Sequence, residues 1–190
     1  MIQLVTGGAR SGKSRYAEKL ANRSENVTYI ATALPIDDAM IDRIKHHQQS
    51  RPQTWKTLER DRDFHLVRDQ EVWQNASLFL LDCVTIMVTN HMMDAGLDYD
   101  ACTMDEINQL ETCILAQIKE LLDQAVMDKK DLVIVTNEVG LGLVPSYLLG
   151  NYFRDIAGRV NQYIAERADE VYLCVSGIPV CIKGDQAHVC

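Results

Sequence analysis

Three things are scarce in this sequence, namely basic charge, long apolar runs and closely paired cysteines, and each scarcity argues against a class of function. Lys and Arg number 19 against 27 Asp and Glu, leaving a net charge of −8 at pH 7. That balance argues against a nucleic-acid groove or an anionic-membrane patch. In Glu59-Arg60-Asp61-Arg62-Asp63 the basic residues alternate with acids, the pattern of a solvated helix face. Apolar stretches are interrupted by charge well short of the roughly 20 residues a membrane-spanning helix needs, so no membrane insertion is expected. The six cysteines, at positions 83, 102, 113, 174, 181 and 190, include no Cys-x-x-Cys pair and no histidine at zinc-ligand spacing. Free thiols, mostly buried in apolar runs, are the expectation, and with them a reduced cytoplasmic protein. Strand-like residues begin at Ile2, so no secretory signal is expected. No repeat, low-complexity tract or linker divides the 190 residues, 47% of them hydrophobic. A single domain over 1–183 and a loose tail over 184–190 follow.

What is present is concentrated near the start. The apolar run Ile2–Val5 breaks into Gly7-Gly8-Ala9-Arg10-Ser11-Gly12-Lys13-Ser14, the spacing of a phosphate-binding P-loop, and a helix-former run from Arg15 to Leu20 follows. Glycines let the backbone curl so that successive N–H groups converge on one anion. Lys13 brings a point charge to the β- and γ-phosphates, and the Ser14 hydroxyl is a ligand for Mg²⁺. The start of the following helix adds its positive end. Nucleoside triphosphate binding is the direct implication.

Further along, Val27–Ala31, Thr54–Leu58, Ser77–Asp82 and Leu132–Thr136 read as strands. Asp37–Gln49, 60–75, Val84–Met93 and 147–168 read as helices, as does a long one opened by the capping box Thr103-x-x-Glu106. The amphipathic stretches at 84–93 and 107–126 suit either core packing or a subunit interface. Two strands, 170–176 and 180–183, joined at Gly177-Ile178-Pro179, complete the pattern. Nearly continuous apolar strands alternating with helices predict an α/β, P-loop NTPase-like fold. Its sheet is mostly parallel, has helices on both faces and ends in an antiparallel hairpin. In such a sheet the P-loop, Ala31-Thr32, Asp82 and Asn137-Glu138 gather at the strands' carboxyl ends, where ligands sit.

Two positions carry more than one reading. Asp82, ending an apolar strand, fits the acid that reaches Mg²⁺ in P-loop proteins, or a cap on the next helix. His47 falls on the apolar stripe with Met40 and Ile44, whereas His46 lies on a polar flank with Asp42 one turn before it. There His46 is either a solvated histidine or a nucleophile oriented by that carboxylate.

Five blocks, in order and with matching gaps, resemble the bifunctional adenosylcobinamide kinase/adenosylcobinamide-phosphate guanylyltransferase family of cobalamin synthesis. They are Thr6–Ser14, Tyr29–Thr32, Arg43–His47 with Arg51-Pro52, Thr136–Gly140 and Phe153–Asn161. The resemblance implies two reactions. A nucleoside triphosphate phosphorylates the aminopropanol hydroxyl of adenosylcobinamide; GMP then passes from GTP through a guanylyl-histidine at His46 to give adenosylcobinamide-GDP. It also implies that GTP is touched by Gly7 to Ser14, Ala31, Thr32 and Ala33, by His47, Gln48, Gln49 and Ser50, by Glu59 and by Asp82. Lys13 joins His46 as a catalytic residue, and Ser14 and Asp82 hold Mg²⁺. Members of that family often carry Glu where this chain has Asp82, so the shorter side chain reaches the metal through water. The corrinoid substrate, GTP (with ATP the other candidate phosphoryl donor) and a homotrimer are implied as well. The nearest competing reading is a simple P-loop small-molecule kinase without covalent guanylylation. A guanine-nucleotide switch is disfavoured, because the late strand ends Thr136-Asn137-Glu138-Val139 rather than Asn-Lys-x-Asp.

Overall fold

The computed structural model describes residues 1–33 and 51–185. The chain opens with six residues, Ile2–Gly7, that form strand β1 and are buried throughout, so β1 needs cover on both faces. Helix α1 (Lys13–Ala21) and strand β2 (Val27–Ala31) follow. The helix expected over Asp37–Gln49 lies outside the described residues. Beyond it come β3 (Lys56–Glu59), a 3-10 turn (Phe64–Val67), the one-turn helix α2 (Glu71–Gln74) and β4 (Leu78–Asp82). Helices α3 (Val84–Asp94) and α4 (Met104–Met127), strand β5 (Asp131–Val135), helix α5 (Leu148–Arg167) and strands β6 (Glu170–Val175) and β7 (Ile178–Lys183) complete the domain.

The seven strands form one sheet in the order β3-β2-β4-β5-β1-β6-β7. All neighbours are parallel except β6 and β7. Alternation along the strands divides the core into two layers. Val5, Tyr29, Leu80, Val133 and Val135 face α1 with Leu20. Leu4, Ile30, Phe79, Leu81, Leu132 and Ile134 face the other way, where Met87, Ile114, Ile118, Val160 and Ile164 cover them. The stripes of α3 and α4 are therefore packed inside the subunit, the first of the two uses their amphipathic pattern allowed. The expected capping box is present: Thr103 accepts from the Glu106 N–H while the Glu106 carboxylate accepts from the Thr103 N–H.

Three expectations are corrected. Residues 60–75 do not form a continuous helix. Asp63 adopts a left-handed φ of 52°, Gln70 is extended, and Phe64, Val67 and Trp73 each turn into the core. Tertiary anchoring of three large side chains outweighs a helical run that has few regularly spaced apolar positions. The Glu59–Asp63 stretch is also not a solvated helix face, because Asp61 is buried. The connection between the last strands is shorter than the reading of Gly177-Ile178-Pro179 suggested. The turn is Ser176-Gly177, both at positive φ (52° and 84°), the form that two-residue hairpins favour. Pro179 stands within β7, where an edge strand tolerates its missing N–H. Among the described cysteines only Cys83 and Cys174 are buried; Cys102 and Cys181 are half-buried and Cys113 is exposed.

Candidate active site

The turn after β1 is shaped by what cannot fit there. A Cβ on Gly7, at φ 154°, would stand 2.5 Å from the Cys174 carbonyl oxygen and 2.6 Å from Ser11 Oγ. One on Gly12, at φ 92°, would meet Gly177 Cα at 3.0 Å. The β6–β7 turn thus presses directly on the loop, and the Gly177 N–H donates to the Ser11 carbonyl at 2.9 Å. Within this enclosure Gly8, Ala9 and Arg10 form the open, exposed lip. Lys13 is only 9% exposed and donates from Nζ to the Gly8 carbonyl at 3.0 Å. Gly12 caps α1, so the first N–H groups of that helix open toward the loop. Thr6 Oγ1 and Ser11 Oγ are buried without a hydrogen-bond partner. A phosphate oxygen would satisfy a donor such as Ser11 Oγ. The arrangement is a cradle for a polyanion.

Asp82 follows Leu78 and Leu80 on the α1 side of the sheet and is half-buried. It does not cap the next helix. The N-cap of α3 is Cys83, which makes no side-chain cap bond, and the Asp82–Cys83 peptide bond is cis. Burial raises the Glu18 carboxyl above its ordinary range; Arg51 opposes that shift and the Asp82 charge adds to it. Asp82 thus lies within electrostatic reach of Glu18 on α1. The Arg51 guanidinium stacks 3.2 Å from the Tyr29 ring centroid, and burial, with Asp82 nearby, keeps the Tyr29 hydroxyl protonated. Burial pushes the Cys83 thiol up to about 11, with Asp82 adding to the effect. Cys174 is raised by burial as well, against Lys13. Both remain neutral thiols, so neither is a nucleophile at neutral pH.

Ser14 and Asp82 offer a hydroxyl and a carboxylate, the oxygen donors that Mg²⁺ takes. No cluster of three or more His, Cys, Asp or Glu suited to a metal exists among the described residues.

The sheet order sets how far apart the remaining candidates stand. Strand β5 separates β1 from β4, and Asp82 and Val5 both pair with Val135, so at the usual 4.7–4.9 Å spacing Asp82 lies about 10 Å across the sheet from Val5, two residues before Gly7. Ala31, ending β2, lies about 15 Å away, and Glu59, exposed at the end of outermost β3, about 19 Å. The fold therefore groups Gly7–Ser14 with Asp82, sets Ala31, Thr32 and Ala33 farther along the same edge, and leaves Glu59 at its far end. His46, His47, Gln48, Gln49 and Ser50, together with Asp42, lie outside the described residues.

Sequence reasoning missed the side chains that hold this edge in place. Thr32 Oγ1 donates to the Cys83 carbonyl and accepts from the Cys83 N–H, both at 2.9 Å. Asn90 Nδ2 donates to the Thr32 carbonyl and to Asp61 Oδ2, again at 2.9 Å. Burial pushes the Asp61 carboxyl up, but hydrogen bonds from Arg62 and Asn90 outweigh it and hold the group below its ordinary value. On the P-loop side, Thr136 Oγ1 donates to Asn161 Oδ1 at 2.7 Å, and Asn161 Nδ2 donates to the Asn137 carbonyl at 3.1 Å. The Asn137 N–H donates to Thr85 Oγ1 at 2.7 Å, and the Glu138 N–H donates to the Gly7 carbonyl at 3.0 Å. One signal was available: Asn90 sits three residues after Met87, and Asn161 beside Val160, on helix faces otherwise apolar.

Comparison with known proteins agrees with this geometry. The family model for cobinamide kinase / cobinamide phosphate guanyltransferase matches residues 3–182. The bifunctional adenosylcobalamin biosynthesis protein CobU of Escherichia coli K12 is 49% identical over 183 residues, 96% of this chain and all of that protein. The protein of the same name from Salmonella typhimurium LT2 is 45% identical over the same shares. CobP of Pseudomonas aeruginosa PAO1, likewise named a bifunctional adenosylcobalamin biosynthesis protein, is 37% identical across 97% of this chain and 99% of its own. A solved structure of a Pyrococcus horikoshii OT3 protein shares the fold at a TM-score of 0.50 and 7% identity, covering 97% of this chain and 87% of that one. No described helix is long and apolar enough to cross a membrane. With a P-loop cradle at the head of a mostly parallel sheet and a match from end to end, this chain belongs to the cobinamide kinase / cobinamide phosphate guanyltransferase family.

Proposed function

We propose that this chain phosphorylates the aminopropanol hydroxyl of adenosylcobinamide and then guanylylates the product. The observation that carries the reading is the cradle, a turn closed to side chains at Gly7 and Gly12 with the Lys13 ammonium folded inside it. In the first reaction the hydroxyl oxygen attacks the γ-phosphorus and the bond from that phosphorus to the β-phosphate oxygen breaks. The hydroxyl proton passes to solvent and the nucleoside diphosphate leaves. Lys13 and the N–H groups of Gly8 to Ser14 carry the charge that develops on the transferred group. Ser14 and Asp82 would hold Mg²⁺, Asp82 through water, and the ion supplies charge neutralisation between the phosphates.

In the second reaction a ring nitrogen of His46 attacks the α-phosphorus of GTP. A nitrogen–phosphorus bond forms and pyrophosphate departs, held by the same cradle. A phosphate oxygen of the corrinoid then displaces the imidazole, so two easier displacements replace one difficult one. The role of His46 rests on the family blocks in the sequence. GTP serves the second reaction, ATP or GTP the first, and the base and ribose run from the cradle toward Ala31, Thr32 and Ala33, with Glu59 beyond; His47, Gln48, Gln49 and Ser50 are proposed as further nucleotide contacts. A homotrimer is the proposed assembly. The exposed apolar stripe Ile178, Val180 and Ile182 on edge strand β7 supports a subunit contact there.

Labelled GTP separates this reading from a simple kinase. With α-labelled GTP and Mg²⁺, an acid-labile, base-stable protein adduct is expected, absent in His46→Ala, while that variant still moves the γ-label to cobinamide. Transfer of γ-label with no α-labelled protein would leave the simple kinase standing.

A further inference from the structure

The segment after β5 exposes apolar side chains that a lone subunit gains nothing by exposing. Leu143 is 95% exposed and Leu141 84%, and Val144 and Tyr147 are open as well. Single exposed apolar residues need no explanation, but several in one loop mark a binding surface. The loop is rooted at the cradle: the Glu138 N–H donates to the Gly7 carbonyl at 3.0 Å, and the Glu138 carboxylate accepts from the Gly140 N–H at 2.8 Å. Leu141 stands three residues beyond Glu138, within about 11 Å of fully extended chain. Helix α5 borders the patch with polar groups. Asn151 Nδ2 donates to the Tyr147 carbonyl at 3.2 Å, and Arg154 donates to the Gly140 carbonyl at 3.3 Å.

We propose that this loop is the acceptor-substrate surface: Leu141, Leu143, Val144 and Tyr147 take the apolar face of the corrin macrocycle, while Asn151 and Arg154 meet its peripheral amides. This deepens the reading given under Proposed function and rests on it. The chemistry matches on both counts, because cobinamide presents a broad methyl-rich ring rimmed by amide side chains. Its aminopropanol hydroxyl hangs on one flexible arm, and that arm must reach the phosphate cradle. A surface rooted at Gly7 is where such a ring would rest. A second copy of the chain is the weaker occupant, since the β7 edge already offers a flat apolar stripe and open ladder groups for that purpose.

The test uses the full chain and cobinamide, whose visible absorption reports binding. Leu141→Ser/Leu143→Ser is compared with wild type and with Ile182→Ser on β7. The double variant is expected to weaken cobinamide binding by about tenfold or more. Its affinity for a fluorescent GTP analogue should stay within about twofold of wild type, which also shows that it is folded, and its mass by light scattering should not change. Wild-type cobinamide affinity in the double variant overturns the inference. So does a loss of cobinamide affinity that comes with a fall in mass, which assigns the loop to a subunit interface. If wild type itself neither binds nor phosphorylates cobinamide, the functional reading fails first and takes the inference with it.

Discussion

In the cradle, the atoms that define the site belong to the backbone. Gly7, Gly8 and Gly12 contribute N–H and carbonyl groups, and a neighbouring turn at Gly177 sets the walls. At the ends of β2, β4 and β5 the defining atoms belong to buried side chains: Thr32, Asn90 and Asp61 in one group, Thr136, Asn161 and Thr85 in another. The first kind of construction fails when an atom is added, because there is no room. The second fails when an atom is removed, because a buried polar group is left without its partner. Substitutions can therefore tell the two apart by what they damage.

The largest effect is expected in the cradle. Lys13→Ala should lower kcat for phosphoryl transfer by about 10²–10³-fold, and the same variant should form the guanylyl-enzyme poorly, since one cation serves both polyphosphates. Gly7→Ala should match it through geometry, its methyl directed at the Cys174 carbonyl oxygen only 2.5 Å away. Steady-state kinetics with labelled GTP measures both. If Gly7→Ala keeps full nucleotide affinity, the account of the cradle as closed to side chains is wrong.

Damage in the second region should appear first as lost stability. Asn161→Ala removes the acceptor of Thr136 and the donor to the Asn137 carbonyl, and each buried group left alone costs about 1–3 kcal/mol. Thermal unfolding should register a fall in Tm of several degrees. Asn90→Asp should be worse at neutral pH than Asn90→Ala, because it sets a second carboxylate beside Asp61 where an amide now donates at 2.9 Å. Calorimetry on the pair decides: if the aspartate variant is the more stable, Asn90 does not act through that hydrogen bond.

The same contrast explains what could be read in advance. Spacing from Gly7 to Ser14 is local, and local spacing is what a linear sequence displays; the apolar run Leu78–Leu81 likewise placed Asp82 at the carboxyl end of its strand. Thr32 and Asn90 meet 58 positions apart, and Asn90 looks like any polar residue on a helix until the fold brings β2 over it. The 60–75 stretch was misread for a related reason. Its charges suggested a solvent face, whereas Arg60 spends its guanidinium on the Arg62 and Asp63 carbonyls and the Asp63 N–H is taken by Gln117 from α4. A helix propensity sum has no means of including those partners.

Acid should act on the second region more gently. The folded state holds Asp61 below its ordinary value, so the unfolded chain binds the proton more readily. The group's contribution to stability is then present above its unfolded value, about 3.9, and is lost as pH falls through the lower folded value. The Tm difference between wild type and Asp61→Asn should be widest near neutrality and narrow below about pH 4. A difference that stays constant down to strong acid would mean that the carboxylate charge contributes nothing there.

The smallest effect is a control that neither construction should notice. Thr103 caps α4, its hydroxyl accepting from the Glu106 N–H while the Glu106 carboxylate closes the box. Thr103→Ala orphans one helix N–H at an exposed position, where water substitutes in part, and Tm should fall by about 2–4 °C. Nucleotide affinity should not change, because the stripe of α4 touches the sheet through Ile114, Ile118 and Leu121 and those contacts survive fraying of the first turn. Thr103→Ser restores the cap and should restore the Tm. If Thr103→Ala instead weakens GTP binding as much as it lowers Tm, the site is sensitive to any loss of stability. The drop expected for Asn161→Ala would then say nothing specific about the Thr136 lattice.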